Sequence, residues 1–239
     1  MINRKTEVQY WEMIKEIGSF NDKWNDTVST KANIIDNLIR SLNPSANRIL
    51  FASFNPIATV LRNNYDVTIL CSDNLANVYD FTNIRVIESL PSNKYDIVIG
   101  LDEYFTYADS DLEQRDLLDK LALITDGWII TTLQDYKNFA PYKKNQVDAL
   151  SFNSEHNYIM LESSLANKTD KQVWDHYFYC IKDNTNLLTI GPERRRTMYF
   201  KQLAKYSSDA GSSQYVVQKN LLYKGFFSKN FEHIITVKF

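Results

Sequence analysis

The chain has 239 residues, of which 44% are apolar, and a formal net charge of −2 at pH 7. This size is enough for a sizeable core in one or two domains, and the near-neutral charge excludes a global attraction to nucleic acid or anionic membranes while leaving a local basic patch open. No apolar run reaches the roughly 18 residues of a membrane-spanning helix, and the first residues lack the apolar centre of a signal peptide. We therefore expect a cytoplasmic protein of a cell or an infected host. The abundance of Asn, Lys, Tyr and Ile is typical of AT-rich genomes, including those of phages.

Two amphipathic helices are predicted before the first strand. Apolar residues recur at helical spacing over residues 8–17 and again over residues 26–42, where Asn43 and Pro44 end the pattern. Because both helices precede the first strand, we assign residues 1–46 to a helix pair that caps one edge of a sheet.

Short, almost continuously apolar segments alternate with helical or loop segments over residues 47–133. Strands of this kind are buried on both faces, which indicates a parallel sheet flanked by helices. The clearest helix among them covers residues 112–124. The five strands are predicted within residues 48–61 and at residues 66–71, 84–87, 95–100 and 127–133.

The rest of the chain is predicted to form insertions and C-terminal strands of the same single domain. Residues 134–172 are polar and weakly periodic, and we expect one helix near residues 144–150 and a short strand at residues 158–162. A helix over residues 193–206 is predicted to follow Gly191-Pro192. The insertions are therefore residues 134–172 and 184–213, and the C-terminal strands lie in residues 173–183 and 214–239.

Segments of this chain resemble the class I S-adenosylmethionine (SAM)-dependent methyltransferases. Residues 48–61 stand where that family has its first strand and glycine loop, and residues 94–104 resemble its fourth strand with the polar residues that follow. Residues 121–132 resemble its last helix, glycine turn and fifth strand, and residues 231–239 match its antiparallel final strand. The resemblance implies an α/β, Rossmann-like, seven-stranded, mostly parallel sheet with a C-terminal antiparallel strand pair and helices on both faces.

The resemblance also implies a SAM site, although the first loop has no glycine. Glycines let the backbone approach the cofactor and adopt positive φ, and Ser53, Asn55 and Ile57 occupy their positions. We expect Ser53 and Asn55 to line the cofactor and the bulk of Ile57 to intrude on its space. Asp73, after the second strand, is expected to hold the ribose, and Glu88, after the third, to accept from the adenine amino group.

Acidic and aromatic residues follow the fourth strand directly. Ligands of open α/β sheets bind beyond the carboxyl ends of the strands, so Asp102 and Tyr104 are predicted to face the methyl acceptor, with an exposed acidic loop as the alternative. The segment lacks the Asn/Asp-Pro-Pro-aromatic signature of enzymes that methylate amino groups of nucleic-acid bases.

A basic run with interleaved aromatic residues opens the helix predicted at residues 193–206. Arg194, Arg195 and Arg196, followed by Lys201 and Lys205, are typical of a nucleic-acid-binding surface, and a solvated amphipathic helix is the alternative.

The function predicted from these patterns is a SAM-dependent methyltransferase of unknown acceptor. The alternatives are a catalytically inactive methyltransferase fold that serves as a binding or assembly module, for example in a viral complex, and a nucleic-acid-binding protein that uses the arginine run. No zinc-ligand spacing, phosphate loop or nucleophile elbow is present, so no metal, nucleotide-triphosphatase or serine-hydrolase site is predicted.

Overall fold

The computed structural model describes residues 4–19, 24–71, 75, 78–136, 146–153, 158–170, 172–182, 186–223 and 231–239. These residues form two β-sheets and a set of helices that flank them. The α-helices are α1 (Arg4–Ser19), α2 (Trp24–Leu42), α3 (Ala58–Leu61), α4 (Asp111–Leu123) and α5 (Phe200–Asp209). The strands are β1 (Arg48–Phe51), β2 (Asp66–Leu70), β3 (Ile84–Ile87), β4 (Tyr95–Gly100), β5 (Thr125–Leu133), β6 (Gln146–Asn153), β7 (Tyr158–Ala166), β8 (Val173–Lys182), β9 (Asn186–Arg196), β10 (Gln214–Tyr223) and β11 (Phe231–Lys238).

The larger sheet has seven strands in the order β3-β2-β1-β4-β5-β11-β10. The first five are mutually parallel, β11 lies antiparallel to β5, and β10 lies antiparallel to β11. The predicted Rossmann-like sheet with its C-terminal antiparallel pair is thereby confirmed.

Both faces of this sheet are covered, because its central strands are apolar on both sides. In β1, Ile49 and Phe51 join a core with α1, α2 and α3, whereas Leu50 joins the core on the opposite face with α4 and α5. The assignment of the N-terminal helices to one edge of the sheet is therefore wrong: α2 buries Ile35 and Ile39 over a face.

The second sheet is antiparallel and has the order β6-β7-β8-β9. Its inner face contributes Phe178, Cys180 and Ile190 to the core on the α1 side. The helix predicted near residues 144–150 is wrong where the structure describes it, because residues 146–153 pair with β7. The C-terminal strand predicted at residues 173–183 belongs to this sheet, as β8.

The helix predicted over residues 193–206 is also wrong in its first half. Residues 193–196 continue β9 and pair with β8, and α5 begins only at Phe200, where Oε1 of Gln202 accepts a hydrogen bond from the backbone nitrogen of Tyr199 at 3.5 Å. None of the helices in the described part of the chain is long and apolar enough to span a bilayer.

Candidate functional site

The chain turns sharply where β4 ends. Asp102 and Glu103 both have left-handed backbone conformations, with φ of 54° and 60°, which cost a residue other than glycine about 1–3 kcal/mol each. A single 3-10 turn, Tyr104–Tyr107, follows. The carbonyl oxygen of Glu103 accepts hydrogen bonds from the backbone nitrogen and the hydroxyl of Thr106, both at 2.8 Å. Two strained residues in succession indicate a turn whose shape is imposed by its surroundings.

Asp102 joins this turn to the loop after β1 and to α2. Its Oδ2 accepts a hydrogen bond from Nδ2 of Asn55 at 2.9 Å, and its Oδ1 lies 3.9 Å from Nζ of Lys31. Oδ1 of Asn55 accepts in turn from the backbone nitrogen of Ile57 at 3.2 Å. The Lys31 side chain is 2% exposed and that of Asp102 is 25% exposed, so solvent reaches the acid but not the lysine.

Two further buried polar groups lie at the same end of the sheet. Burial lowers the pKa of Lys31, and the carboxylates of Asp102 and Glu232 oppose that shift. Glu232 is fully buried in β11, next to His233, which pairs with Leu133 at the end of β5; Gln134 follows Leu133 directly. Gln134 is 4% exposed, and within the described residues its side-chain amide has no hydrogen-bond partner.

The Glu103 carboxylate is fully buried in a separate network. Its Oε1 accepts a hydrogen bond from the hydroxyl of Tyr136, and its Oε2 lies 3.9 Å from Nη1 of Arg195. Nη2 of Arg195 donates to the hydroxyl of Tyr107 at 2.6 Å and to Oε2 of Glu193 at 3.1 Å. Burial raises the pKa of both tyrosines well above the usual value, so both hydroxyls stay protonated at neutral pH.

These groups gather where ligands of open α/β sheets bind, beyond the carboxyl ends of the parallel strands. Carboxylates outnumber cations in the cluster, and buried charges are screened far less than exposed ones. The excess negative charge therefore favours a ligand that carries positive charge. The carboxylates are those of Asp102, Glu103 and Glu232, and the cations are Lys31 and Arg195.

The residues predicted to hold the cofactor flank this cluster on the β1–β3 side. Asn55 is buried, Ser53 is half-buried, and Glu88 is exposed directly after β3. Asp73 lies outside the described residues. The expectation that Ile57 intrudes on the cofactor is wrong, because its side chain is fully buried in the hydrophobic core and its φ is −61°. No residue of the loop between β1 and α3 has positive φ, so this loop folds without glycine.

Tyr104 lies apart from the acidic cluster. It is 7% exposed and belongs to the core on the α4 side, where its ring packs edge-on against Phe105. It also packs against Gly100, at which an added Cβ would lie 3.0 Å from the ring. This position gives no support to a contact between Tyr104 and an acceptor.

The arginine run forms ion pairs within the protein. Residues 194–196 lie on β9, whereas Lys201 and Lys205 lie on α5, so these basic residues do not share one helix as predicted. Each arginine has a carboxylate partner. The pairs are Arg194–Asp175 at 3.4 Å, Arg195–Glu193 at 3.1 Å, Arg196–Asp111 at 2.7 Å and Arg196–Asp170 at 2.6 Å.

Sequence reasoning does not identify Lys31, Glu232 and Gln134 as members of the cluster. Lys31 carries a signal, because it occupies a position on the apolar face of α2 between Val28 and Ile35. Glu232 carries a similar signal, since it alternates with the buried Ile234 along β11. Gln134 carries none. Glu103 belongs to the acidic segment predicted after the fourth strand, but the sequence does not predict its contact with Arg195.

Comparison with known proteins supports the fold. No protein-family model matches the sequence, and neither does any curated protein. Among solved structures, the chain is similar to a SAM-dependent methyltransferase from Clostridium acetobutylicum, with a TM-score of 0.69, 9% identity, and coverage of 95% of this chain and 98% of that one. It is also similar to the sugar N-methyltransferase KedS8 from Streptoalloteichus, with a TM-score of 0.67, 12% identity, and coverage of 92% and 90%. A third similar structure is CalS10, an amino pentose methyltransferase from Micromonospora echinaspora, with a TM-score of 0.66, 12% identity, and coverage of 93% and 94%.

The chain thus has the Rossmann-like fold of the class I SAM-dependent methyltransferases. The similarity spans almost the whole of each chain, at sequence identities that establish the fold alone.

Proposed function

We propose that the protein is a SAM-dependent methyltransferase. The observation that carries this proposal is the buried acidic cluster at the carboxyl ends of β1, β4 and β5, at the place where this fold binds its ligands. The strand order separates two sides of the cluster: β1, β2 and β3 lie on one side of β4, and β5 and β11 lie on the other. We assign the first side to the cofactor and the second to the acceptor.

The residues of the acidic cluster suit a cationic cofactor. The methyl group of SAM is carried on a positively charged sulfonium, which makes the thioether a good leaving group. Asp102 and Glu232 place two carboxylates at the strand ends, against the single cation of Lys31. The β1 loop reaches the same point without a left-handed residue, so its lack of glycine creates no backbone strain.

The chain's own contribution is to position the reactants and exclude water, which is most of what methyl transfer requires of a protein. In this proposal Ser53, Asn55 and Glu88 hold the cofactor, together with Asp73 from outside the described part of the chain. Asp102, which retains some exposure, orients the acceptor and takes up its proton.

The first test is a calorimetric titration of the protein with SAM and with S-adenosylhomocysteine (SAH), its demethylated form. We expect binding in the micromolar range, weakened by Asn55→Ala and by Glu88→Ala. Asp119→Ala is the matched control, because Asp119 is 43% exposed on α4 and forms an ion pair with Arg115 on the same helix. No heat and no thermal shift with millimolar ligand would overturn the proposal and leave the inactive scaffold as the explanation.

The acceptor search then begins with amino sugars. Two structural neighbours are a sugar N-methyltransferase and an amino pentose methyltransferase, and the carboxylates of Asp102 and Glu232 are suited to binding an amine. Radioactive methyl transfer from SAM to an amino sugar, lost in Asp102→Asn, would support this acceptor class. Transfer to hydroxylated compounds alone would exclude it.

A further inference from the structure

Arg195 contacts both ends of the short segment that follows β4. Its Nη1 lies 3.9 Å from Oε2 of Glu103 at the start of the segment, and its Nη2 donates to the hydroxyl of Tyr107 at the end. The guanidinium also lies over the Tyr107 ring, 4.3 Å from its centroid. Arg195 is 5% exposed and Glu103 is fully buried. The arginine comes from β9, so it attaches the second sheet to the end of the first.

The carboxylate that Arg195 contacts belongs to the residue next to Asp102. Both acids have left-handed φ, a conformation that persists only when the surroundings fix it. Asp102 in turn accepts a hydrogen bond from Asn55 in the β1 loop. A continuous set of contacts therefore connects Arg195 with the loop assigned to the cofactor.

We propose that Arg195 is a positioning residue for the candidate site. It fixes the left-handed turn at Asp102 and Glu103, and the Asp102 carboxylate in turn holds the Asn55 amide in place for cofactor binding. The inference rests on the proposed function, because it concerns the same site. It gives the second sheet a direct influence on cofactor affinity.

The test compares Arg195→Met with Arg194→Met. The two substitutions remove the same group from adjacent positions of β9, but Arg194 is 56% exposed and pairs with Asp175 at the surface. In calorimetric titration with SAH, we expect Arg195→Met to weaken binding roughly tenfold and Arg194→Met to change it less than about twofold. Equal affinity of a folded Arg195→Met protein and the parent would overturn the proposal.

A double variant distinguishes positioning from simple charge neutralisation. Glu103→Gln with Arg195→Met removes the two most buried charges and leaves Glu193, which is 10% exposed, without the arginine. Its melting temperature should therefore recover part of what Arg195→Met alone loses. We expect its SAH affinity to remain weak, because the bridge to Tyr107 is still missing. Recovery of affinity together with the melting temperature would show that Arg195 only neutralises Glu103. If Arg195→Met does not fold, Arg195→Lys takes its place, because lysine keeps the charge but cannot contact Glu103 and Tyr107 through two separate nitrogens. We expect Arg195→Lys to fold and to bind SAH more weakly than the parent. Parent-like binding by a folded Arg195→Lys would overturn the proposal.

Hydrogen exchange tests the inference without any ligand. Amides of residues 101–107 should exchange at least about tenfold faster in Arg195→Met than in Arg194→Met, while those of β1 stay unchanged. Should the parent protein bind no SAH, the proposed function fails, and this measurement still decides whether Arg195 holds the turn. Equal exchange in both variants would show that it does not.

Discussion

Replacing Lys31 with methionine should remove a pH-dependent part of the stability of the fold. Burial lowers the pKa of Lys31 in the folded protein below its usual 10.5, so the folded protein releases this proton at lower pH than the unfolded chain does. Between the two pKa values the unfolded chain binds more protons, and the free energy of unfolding therefore rises with pH. Below the folded-state pKa, the full cost of burying the charged lysine is present.

The titration of a single proton sets the maximum size of this change in stability. The slope cannot exceed about 1.4 kcal/mol per pH unit, so from about pH 7 to about pH 9 the parent can gain at most about 2.7 kcal/mol over Lys31→Met. With a urea dependence of about 3 kcal/mol per molar, the difference between the two unfolding midpoints changes by up to about 0.9 M. Tyr107 and Tyr136 add no slope in this interval, because burial raises the pKa of each above its usual value of 10.0 and both remain protonated.

Urea unfolding followed by tryptophan fluorescence measures this difference at each pH. Lys94→Met is the control: Lys94 is 57% exposed and lies 3.6 Å from a similarly exposed Asp126. We expect the free energy of unfolding of the parent minus that of Lys31→Met to rise with pH. The same quantity for Lys94→Met should not change with pH. A difference for Lys31→Met that is constant or falls with pH would refute the reasoning.

Three other substitutions test the polar and steric features described above. Gln114→Met should destabilise the fold by about 1–3 kcal/mol, because three backbone carbonyls share the two hydrogens of its fully buried Nε2 and would lose that donor. Gln134→Met should be neutral or stabilising, because within the described residues that buried amide has no hydrogen bond to lose. Gly127→Ala should cost about 1–3 kcal/mol or more, because its Cβ would lie 2.4 Å from the carbonyl oxygen of Asp96.

Urea unfolding at neutral pH measures all three. The two glutamine variants serve as controls for each other, since both replace a buried amide with the same apolar side chain, and a loss of equal size in both would contradict the assignment of Gln134. Asp126→Ala, next to Gly127 and exposed, controls for the glycine variant. If Gly127→Ala were as stable as Asp126→Ala, the backbone of β4 at Asp96 would have to move away from the added Cβ without a cost in stability.

The sequence predicts the larger sheet because each of its strands carries its own signal. Strands buried on both faces give continuous apolar runs, and Pro44 follows closely on the end of α2. The candidate site is predictable only in part. Asp102 and Asn55 follow strands and are identified by position. The contact between Glu103 and Arg195 could not be predicted, because the two residues are far apart in the sequence.

The arginine run shows why the second sheet is harder to predict. Residues 194–196 are good helix formers with no apolar alternation, and they form a strand because pairing with β8 and carboxylate partners stabilises it. Those partners, Asp175 and Asp111 among them, are distant in sequence, so neither periodicity nor composition reveals them.

The chain enters and leaves the second sheet at almost the same point. The rings of Tyr136, before the sheet, and Tyr199, after it, have centroids 6.5 Å apart. A segment whose ends already meet behaves as a closed loop, and doubling the length of such a loop costs only about 0.6 kcal/mol of closure entropy. Evolution can therefore lengthen, shorten or exchange this segment as a cassette while the order of the seven strands stays fixed. Among relatives, the second sheet is where we expect sequence and length to diverge most.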